Sequence, residues 1–295
     1  MAEIQFKNIG LIGRIGSEQI LESLIALMGF LQKHDRTIVL EEEIAKILPN
    51  HGLQTSHRRL IGEVCDLVIV VGGDGSMLTV ARDLARYDVS VIGLNRGGLG
   101  FLTDVPPVGF EPILADVLKG KYTVEKRFLL DAEVKRDGEP IALGSAFNDV
   151  VVSSGETARM IEFETYIEGQ FVYSQRSDGI IISTPTGSTA YALSAGGPIM
   201  HPKLDALVLV PMFPHSLSSR PIVVEGNSEI KIIVASDNLI HPVITCDGHY
   251  SIKAHAGDSI YIRKKPHKLK MIHPLDHNFY AACRDKLGWG NKLTR

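Results

Sequence analysis

Cys65-Asp66-Leu67-Val68-Ile69-Val70-Val71-Gly72-Gly73-Asp74-Gly75-Ser76 is the stretch that decides how the first half of the chain folds. Residues 67–71 are apolar and largely β-branched, which predicts a buried strand. Two glycines, an aspartate, a glycine and a serine break it. Met77, Leu78, Val80, Ala81, Leu84 and Ala85 then recur at helical spacing. Strand, glycine turn and helix place free backbone N–H groups at a helix N-terminus, where phosphate can sit. The aspartate is unexpected in a purely anion-binding loop, because a carboxylate repels phosphate. It fits if Asp74 takes a proton from an alcohol or helps hold a metal between phosphates. It also fits a tight turn in which Asp74 caps the next helix.

The flanking sequence repeats the pattern. Residues 4–12 read as a buried strand. Gly10, Gly13 and Gly16 follow in a spacing that is not the dinucleotide fingerprint. Ser17 can cap a helix to about residue 34, with Ile20, Leu21, Leu24, Ile25, Met28 and Leu31 on one face. Residues 37–40 make a short strand, and 41–62 read as loop with some helix. After the helix from Asp74, residues 89–94 are another buried strand. It ends in Asn95-Arg96-Gly97-Gly98-Leu99-Gly100-Phe101-Leu102-Thr103-Asp104. Carboxyl ends of neighbouring strands line one crevice in an open α/β sheet, so both glycine clusters can face one ligand; alternatively the second is a connecting loop. Residues 110–118 are amphipathic.

The character changes near Lys121. Strands now follow one another with tight turns, Asp137-Gly138 and Glu168-Gly169 among them, through 259–263. The expected fold is an α/β domain over 1–122, joined by a returning helix within 276–295, and a β-rich, β-sandwich-like domain over 123–275.

Within the second half, a strand at 179–182 runs into Ser183-Thr184-Pro185-Thr186-Gly187-Ser188-Thr189-Ala190-Tyr191-Ala192-Leu193-Ser194. Hydroxyls and free N–H groups suit ribose and phosphate oxygens, and Tyr191 can meet a base; the same residues also suit a capped turn with Tyr191 in the core. Arg176 and Asp178 can read a dinucleotide or form a surface ion pair. Asn148-Asp149 can grip ribose hydroxyls or make a turn. Asp247-Gly248-His249 is a hairpin turn, and the basic run Arg263-Lys264-Lys265 reads as a solvated strand edge.

The totals exclude several classes. A net charge of −3 over 295 residues provides no global field for nucleic acid or anionic membrane. Three scattered cysteines and no C-x-x-C speak for a reducing cytosol and against structural zinc, and the eleven histidines lack metal-ligand spacing. No signal pattern or membrane-length apolar run is present. A cytoplasmic protein is expected.

Together these motifs resemble those of bacterial NAD kinases. Those that carry the resemblance are Gly72 to Ser76, Asn95 to Asp104, Asn148-Asp149, Arg176 to Gly179, Thr184 to Tyr191 and Pro211-Met212-Phe213-Pro214-His215-Ser216-Leu217-Ser218-Ser219-Arg220-Pro221. The first motif is shared with phosphofructokinases and lipid kinases; the long hydroxyl–glycine motif after Asn148-Asp149 is far more specific. The resemblance implies phosphoryl transfer from ATP to the 2′-hydroxyl of the adenosine ribose of NAD, giving NADP. It implies Asp74 as general base, and Gly72, Gly73, Gly75 and Ser76 as the ATP-phosphate loop. NAD contacts carry over to Asp74, Gly75, Asn148, Asp149, Arg159, Arg176, Asp178, Thr189, Ala190, Tyr191, Ala192, Leu193 and Ser194. Arg176 is implied to favour NAD over NADH. His249 joins the set at a position where relatives often carry glutamine. Mg²⁺, or another divalent cation, is implied to arrive with ATP rather than in a tight protein site, and the assembly to be a homodimer or homotetramer. The rivals are a kinase of another alcohol, such as a lipid, and a non-catalytic NAD-binding sensor.

Overall fold

Apolar runs bounded by glycine become a parallel sheet. In chain order the first half gives β1 (Asn8–Gly13), α1 (Glu18–Lys33), β2 (Thr37–Glu41), α2 (Glu42–Ala45), β3 (Gln54–Ser56), α3 (Arg58–Val64), β4 (Leu67–Gly72), α4 (Asp74–Leu84), β5 (Ser90–Asn95) and α5 (Phe110–Leu118). The computed structural model describes residues 5–48, 50–97, 100–155 and 159–289. Gly98 and Leu99 of the second glycine cluster, Pro49, and the expected strand and helix residues before 5 and after 289 lie outside them.

β1 pairs in parallel with β2 and β4, β2 with β3, and β4 with β5. The order β5-β4-β1-β2-β3 reverses direction between β1 and β4, which is the position where open α/β sheets bind ligands. Gly72 lies opposite Asn95, so the two glycine clusters leave the sheet side by side. Alternate strand residues Ile9, Leu11, Leu67, Ile69, Val71, Ile92 and Leu94 form one core with Leu24, Leu27 and Leu31 of α1. Gly10 is required by space: a Cβ there would stand 2.5 Å from Ile61 Cγ2 on α3. The short strand β3 falls in the stretch expected as loop with some helix; its three residues carry no periodic signal.

The remaining strands are β6 (Thr123–Arg136), β7 (Glu139–Ala146), β8 (Asp149–Ser153), β9 (Ile161–Ile167), β10 (Gln170–Ser177), β11 (Gly179–Ser183), β12 (Ala206–Met212), β13 (Ile222–Glu225), β14 (Ile230–Val234), β15 (Val243–Cys246), β16 (Tyr250–Lys253) and β17 (Ser259–His273). α6 (Tyr191–Ser194) follows a single 3₁₀ turn at Gly187–Thr189, and α7 (Phe279–Leu287) comes last. One sheet carries β10-β9-β14-β17, with β6 and β7 beyond β17; the other has the antiparallel order β13-β12-β11-β8-β15-β16. Both contribute alternate residues to one core, including Leu130, Phe163, Ile180, Leu209 and Ile232, which makes this unit a β-sandwich. The expected hairpins are present, with Asp137 and Glu168 at φ 51° and glycines following at positive φ.

Two compact units result. One runs to Lys126 and resumes at Leu269; the other is Arg127–Lys268. Each change falls within a long strand, β6 or β17, whereas composition alone put them at 122 and 275. The basic run is not a solvated edge. β17 is flanked by β14 and β6. Lys264 is 12 % exposed and meets Asp205 at 2.5 Å, and Lys265 meets Asp131 at 3.0 Å. Among the described residues no helix is long and apolar enough to cross a membrane.

Candidate active site

In the first unit the site is built where β4 and β5 end. Gly73 precedes α4 in extended backbone at φ −101°, and Asp74 opens the helix. None of Gly72, Gly73 and Gly75 has positive φ. The glycines are there for space: a Cβ on Gly72 would lie 2.4 Å from Ser76 Oγ, and one on Gly97 would lie 3.2 Å from Gly73 Cα. Asp74 does not cap its helix. Phe101 N–H donates to Asp74 Oδ2 at 2.8 Å and Leu102 N–H donates to Oδ1 at 3.1 Å. Arg96 N–H donates to the Gly72 carbonyl at 3.0 Å. The second glycine cluster is therefore the seat of the first cluster's carboxylate, not merely a connection. Gly100 makes that seat possible, since a Cβ there would reach within 2.1 Å of Asp74 Oδ1. The Arg96 guanidinium faces away to α1, donating from Nε to Ser23 Oγ at 2.6 Å.

The last helix completes this site. Asn278 Oδ1 caps α7 by accepting Ala281 N–H at 3.0 Å. Phe279 packs on Phe101 with ring centroids 6.3 Å apart. Lys286 lies 3.5 Å from Asp74 Oδ2 and 4.0 Å from the centre of the Phe101 ring, with its side chain 13 % exposed. Burial pulls the Lys286 ammonium below its ordinary pKa, and the Asp74 carboxylate offsets this in part. Ahead of α7, His273 Nδ1 bonds Asp104 Oδ2 and His277 Nδ1 stands 3.2 Å from the same oxygen. Burial works against ionisation of Asp104, but the two histidines hold its carboxyl well below the usual range. These three residues offer ligand atoms within 4.8 Å of one another, the one such group among the described residues. Histidine spacing alone concealed it, because Asp104 enters from a different loop.

In the second unit the Asp247 carboxylate, in the turn between β15 and β16, accepts N–H groups from Phe147 (3.0 Å), Asn148 (2.7 Å) and Asp149 (3.3 Å). The Asn148 carbonyl accepts from Thr184 N–H at 2.9 Å. Asn148-Asp149 is thus fixed between Asp247 and the hydroxyl–glycine segment. Asp149 is 4 % exposed. Burial, with Asp247 close by, pushes its carboxyl up to about 7. The hydroxyls of Ser183, Thr184 and Ser188 are spent internally: Ser188 Oγ donates to Pro185 O at 2.7 Å and accepts Met200 N–H at 2.9 Å. They shape the segment. Thr189 is half-buried, its Oγ1 donating to Thr186 O at 3.3 Å, and Ala190 and Leu193 are likewise half-buried. Tyr191 is 48 % exposed and not in the core, Ser194 is exposed, and the Ala192 side chain is fully buried.

Arg176 is exposed at the end of β10, and Asp178 is half-buried in the link to β11, rather than at a strand start as expected. A cavity of about 480 Å³ is lined by Arg176, His215, Ser219 and Arg220. A second of about 410 Å³ has Tyr191, Ser194, Phe213 and Arg220 in its wall. Arg159 and His249 are exposed, His249 Nδ1 lying 2.6 Å from Asp247 O. The sequence reading passed over Lys286 and the anchoring role of Asp247. Lys286 stands three residues after Cys283, beside the apolar face of α7, which was the available signal.

The family model of the ATP-NAD kinase N-terminal domain matches residues 9–122, and that of the ATP-NAD kinase C-terminal domain matches residues 147–274. The chain is 62 % identical over 289 residues to the NAD kinase of Pseudomonas syringae pv. syringae (strain B728a), covering 98 % of each, and 61 % identical to that of Pseudomonas entomophila (strain L48) with the same coverage. Among solved structures, yeast NADH kinase complexed with NADH is similar at a TM-score of 0.89 and 23 % identity, over 100 % of this chain and 94 % of that one. An NAD kinase from Archaeoglobus fulgidus in complex with ATP is similar at a TM-score of 0.72 and 25 % identity, over 95 % and 97 %. With both halves matched in order and such relatives along nearly its whole length, the chain belongs to the NAD kinase family.

Proposed function

We propose that this protein transfers the γ-phosphoryl group of ATP to the 2′-hydroxyl of the adenosine ribose of NAD, giving NADP. The observation that carries this is the Asp74 carboxylate, seated by two backbone N–H groups where a glycine loop meets a helix N-terminus. An alcohol is a poor nucleophile at neutral pH, and a positioned carboxylate removes its proton as the bond to phosphorus forms. Each carboxylate oxygen has a second lone pair. Phe101 N–H takes one lone pair of Oδ2 and Leu102 N–H one of Oδ1, which leaves the carboxylate capacity to accept the hydroxyl proton. Gly72, Gly73, Gly75 and Ser76 admit the phosphates close to the backbone. Asn148, Asp149, Arg159, Arg176, Asp178, residues 189–194 and His249 hold NAD, with the exposed Arg176 and Tyr191 as the direct contacts. Arg176 favours NAD over NADH.

A divalent cation, Mg²⁺ in the first instance, supplies neutralisation of phosphate charge when bound. Asp74 fits an ion that keeps most of its ligands from water and phosphate, because part of its carboxylate is already engaged by N–H groups and Lys286. The protein works in the cytoplasm as a homodimer or homotetramer.

The test is to incubate purified protein with NAD, ATP and Mg²⁺ and read NADP with an NADP-specific dehydrogenase. Formation that needs all three supports the proposal; folded protein that binds NAD and makes none refutes it. Asp74→Asn is expected to keep NAD binding and lose turnover by at least about a hundredfold.

A further inference from the structure

We propose that Lys286, on the last helix, is a positioning residue of the phosphoryl-transfer site, acting through Asp74. The inference rests on the kinase reading above and names a residue that reading does not use. A carboxylate beside a phosphate loop poses a problem, since it repels the anion the loop is shaped to admit. The only ammonium within ion-pair distance of Asp74 among the described residues is Lys286, 3.5 Å from Oδ2. Phe101 N–H binds the same oxygen, and Leu102 N–H binds its twin. Three donors thus engage both oxygens of the carboxylate, fix its rotamer and offset its charge toward incoming phosphate. The lysine is not a surface residue that happens to be near. Its side chain is 13 % exposed and its ammonium lies over the Phe101 ring at 4.0 Å. Withdrawing an ammonium from water is costly unless partners compensate. Here both partners belong to the glycine-cluster loops. The other titratable group acting on the ammonium is the Cys283 thiol, from one turn earlier on α7.

Lys286→Met keeps an unbranched side chain over Phe101 and removes the charge; Lys286→Arg keeps the charge. Wild-type NADP formation is measured first, and its absence refutes the kinase reading itself. With wild type active, kcat of Lys286→Met is expected to fall about 10- to 100-fold while KM for NAD stays within about threefold, because the lysine acts on the aspartate and not on the substrate. Lys286→Arg is expected to recover most of the loss. The melting temperature of Lys286→Met is expected to hold or rise. The proposal is overturned if Lys286→Met turns over within twofold of wild type. It is equally overturned if activity falls only in step with melting temperature and Lys286→Arg does not restore it.

Discussion

Replacing Asp149 by asparagine should stabilise this protein, and by an amount that depends on pH. The Asp149 carboxyl is 4 % exposed beside a second carboxylate, and its pKa is pushed from an ordinary 3.8 up to about 7. The gap corresponds to roughly 4 kcal/mol at 1.36 kcal/mol for each pH unit. Because the folded state holds this proton more tightly than the unfolded chain, the contribution of Asp149 to stability is full below pH 3.8. It is lost as pH rises to about 7. The amide that replaces the carboxyl in the variant does not ionise. The stability difference between Asp149→Asn and wild type should therefore be about 3–4 kcal/mol more favourable to the variant at pH 8 than at pH 4. Comparing the two pH values cancels any constant cost of placing an amide there. Urea unfolding at pH 4, 5.5 and 8, followed by circular dichroism, measures it. A difference that does not change with pH, or that favours the variant more at pH 4, would refute the reasoning. If Asp149 also grips the ribose, the stabilised variant makes NADP more slowly, an exchange of stability for function.

Gly100→Ala should abolish turnover by about a hundredfold or more, because its Cβ would stand 2.1 Å from Asp74 Oδ1 and displace the carboxylate; turnover near wild type would show that the loop yields freely. Asp258, held by both nitrogens of the Arg136 fork at 2.9 Å and by His255 N–H, is opposed by burial yet kept below its ordinary carboxyl range. Its share of stability is present above pH 3.8 and lost as pH falls through the lower pKa of the folded state, so Asp258→Asn should lower the melting temperature at pH 7 and lower it progressively less as pH falls below 3.8. Cys65 is buried next to Asp66, and its thiol is pushed up to about 12. Iodoacetamide at pH 8 should label Cys65 in the folded protein at least about a hundredfold more slowly than in urea, as read by mass spectrometry.

The parts of the fold legible in the sequence were those where one residue pattern repeats. The run 67–71 and the glycines after it identified β4 and the start of α4, and dipeptides such as Asp137-Gly138 marked hairpins that the backbone bears out. What the sequence hid was long-range pairing. Nothing local tells that Lys264 and Lys265 lie within a sheet against Asp205 and Asp131, so a basic run looked like an edge. The site divides in the same way. Asp74 announced itself by being an acid among glycines, but its partners come from residues 27 and more positions away: Phe101, Leu102 and Lys286. The serines and threonines at 183–188 left two readings open, because hydroxyls suited to a ligand are equally suited to closing a tight buried turn, and a buried turn is what they make.

The order in which the first unit's parts are made has a consequence for biogenesis. β5 is bonded on one side to β4 and on the other to Lys270 and Met271 of β17. The ribosome makes that second partner only after the whole stretch 127–268, a wait on the order of ten seconds or more at ordinary elongation rates. Val105 already covers the far end of β5, bridging Leu94 and bonding to Gly93 and Asn95, but through that interval the nascent sheet presents the start of the strand, Ser90 to Ile92, as an open apolar edge. Conditions that slow translation after residue 126 should therefore cost soluble yield out of proportion to their effect on the finished protein's stability, and a chaperone that shields strand edges should restore it.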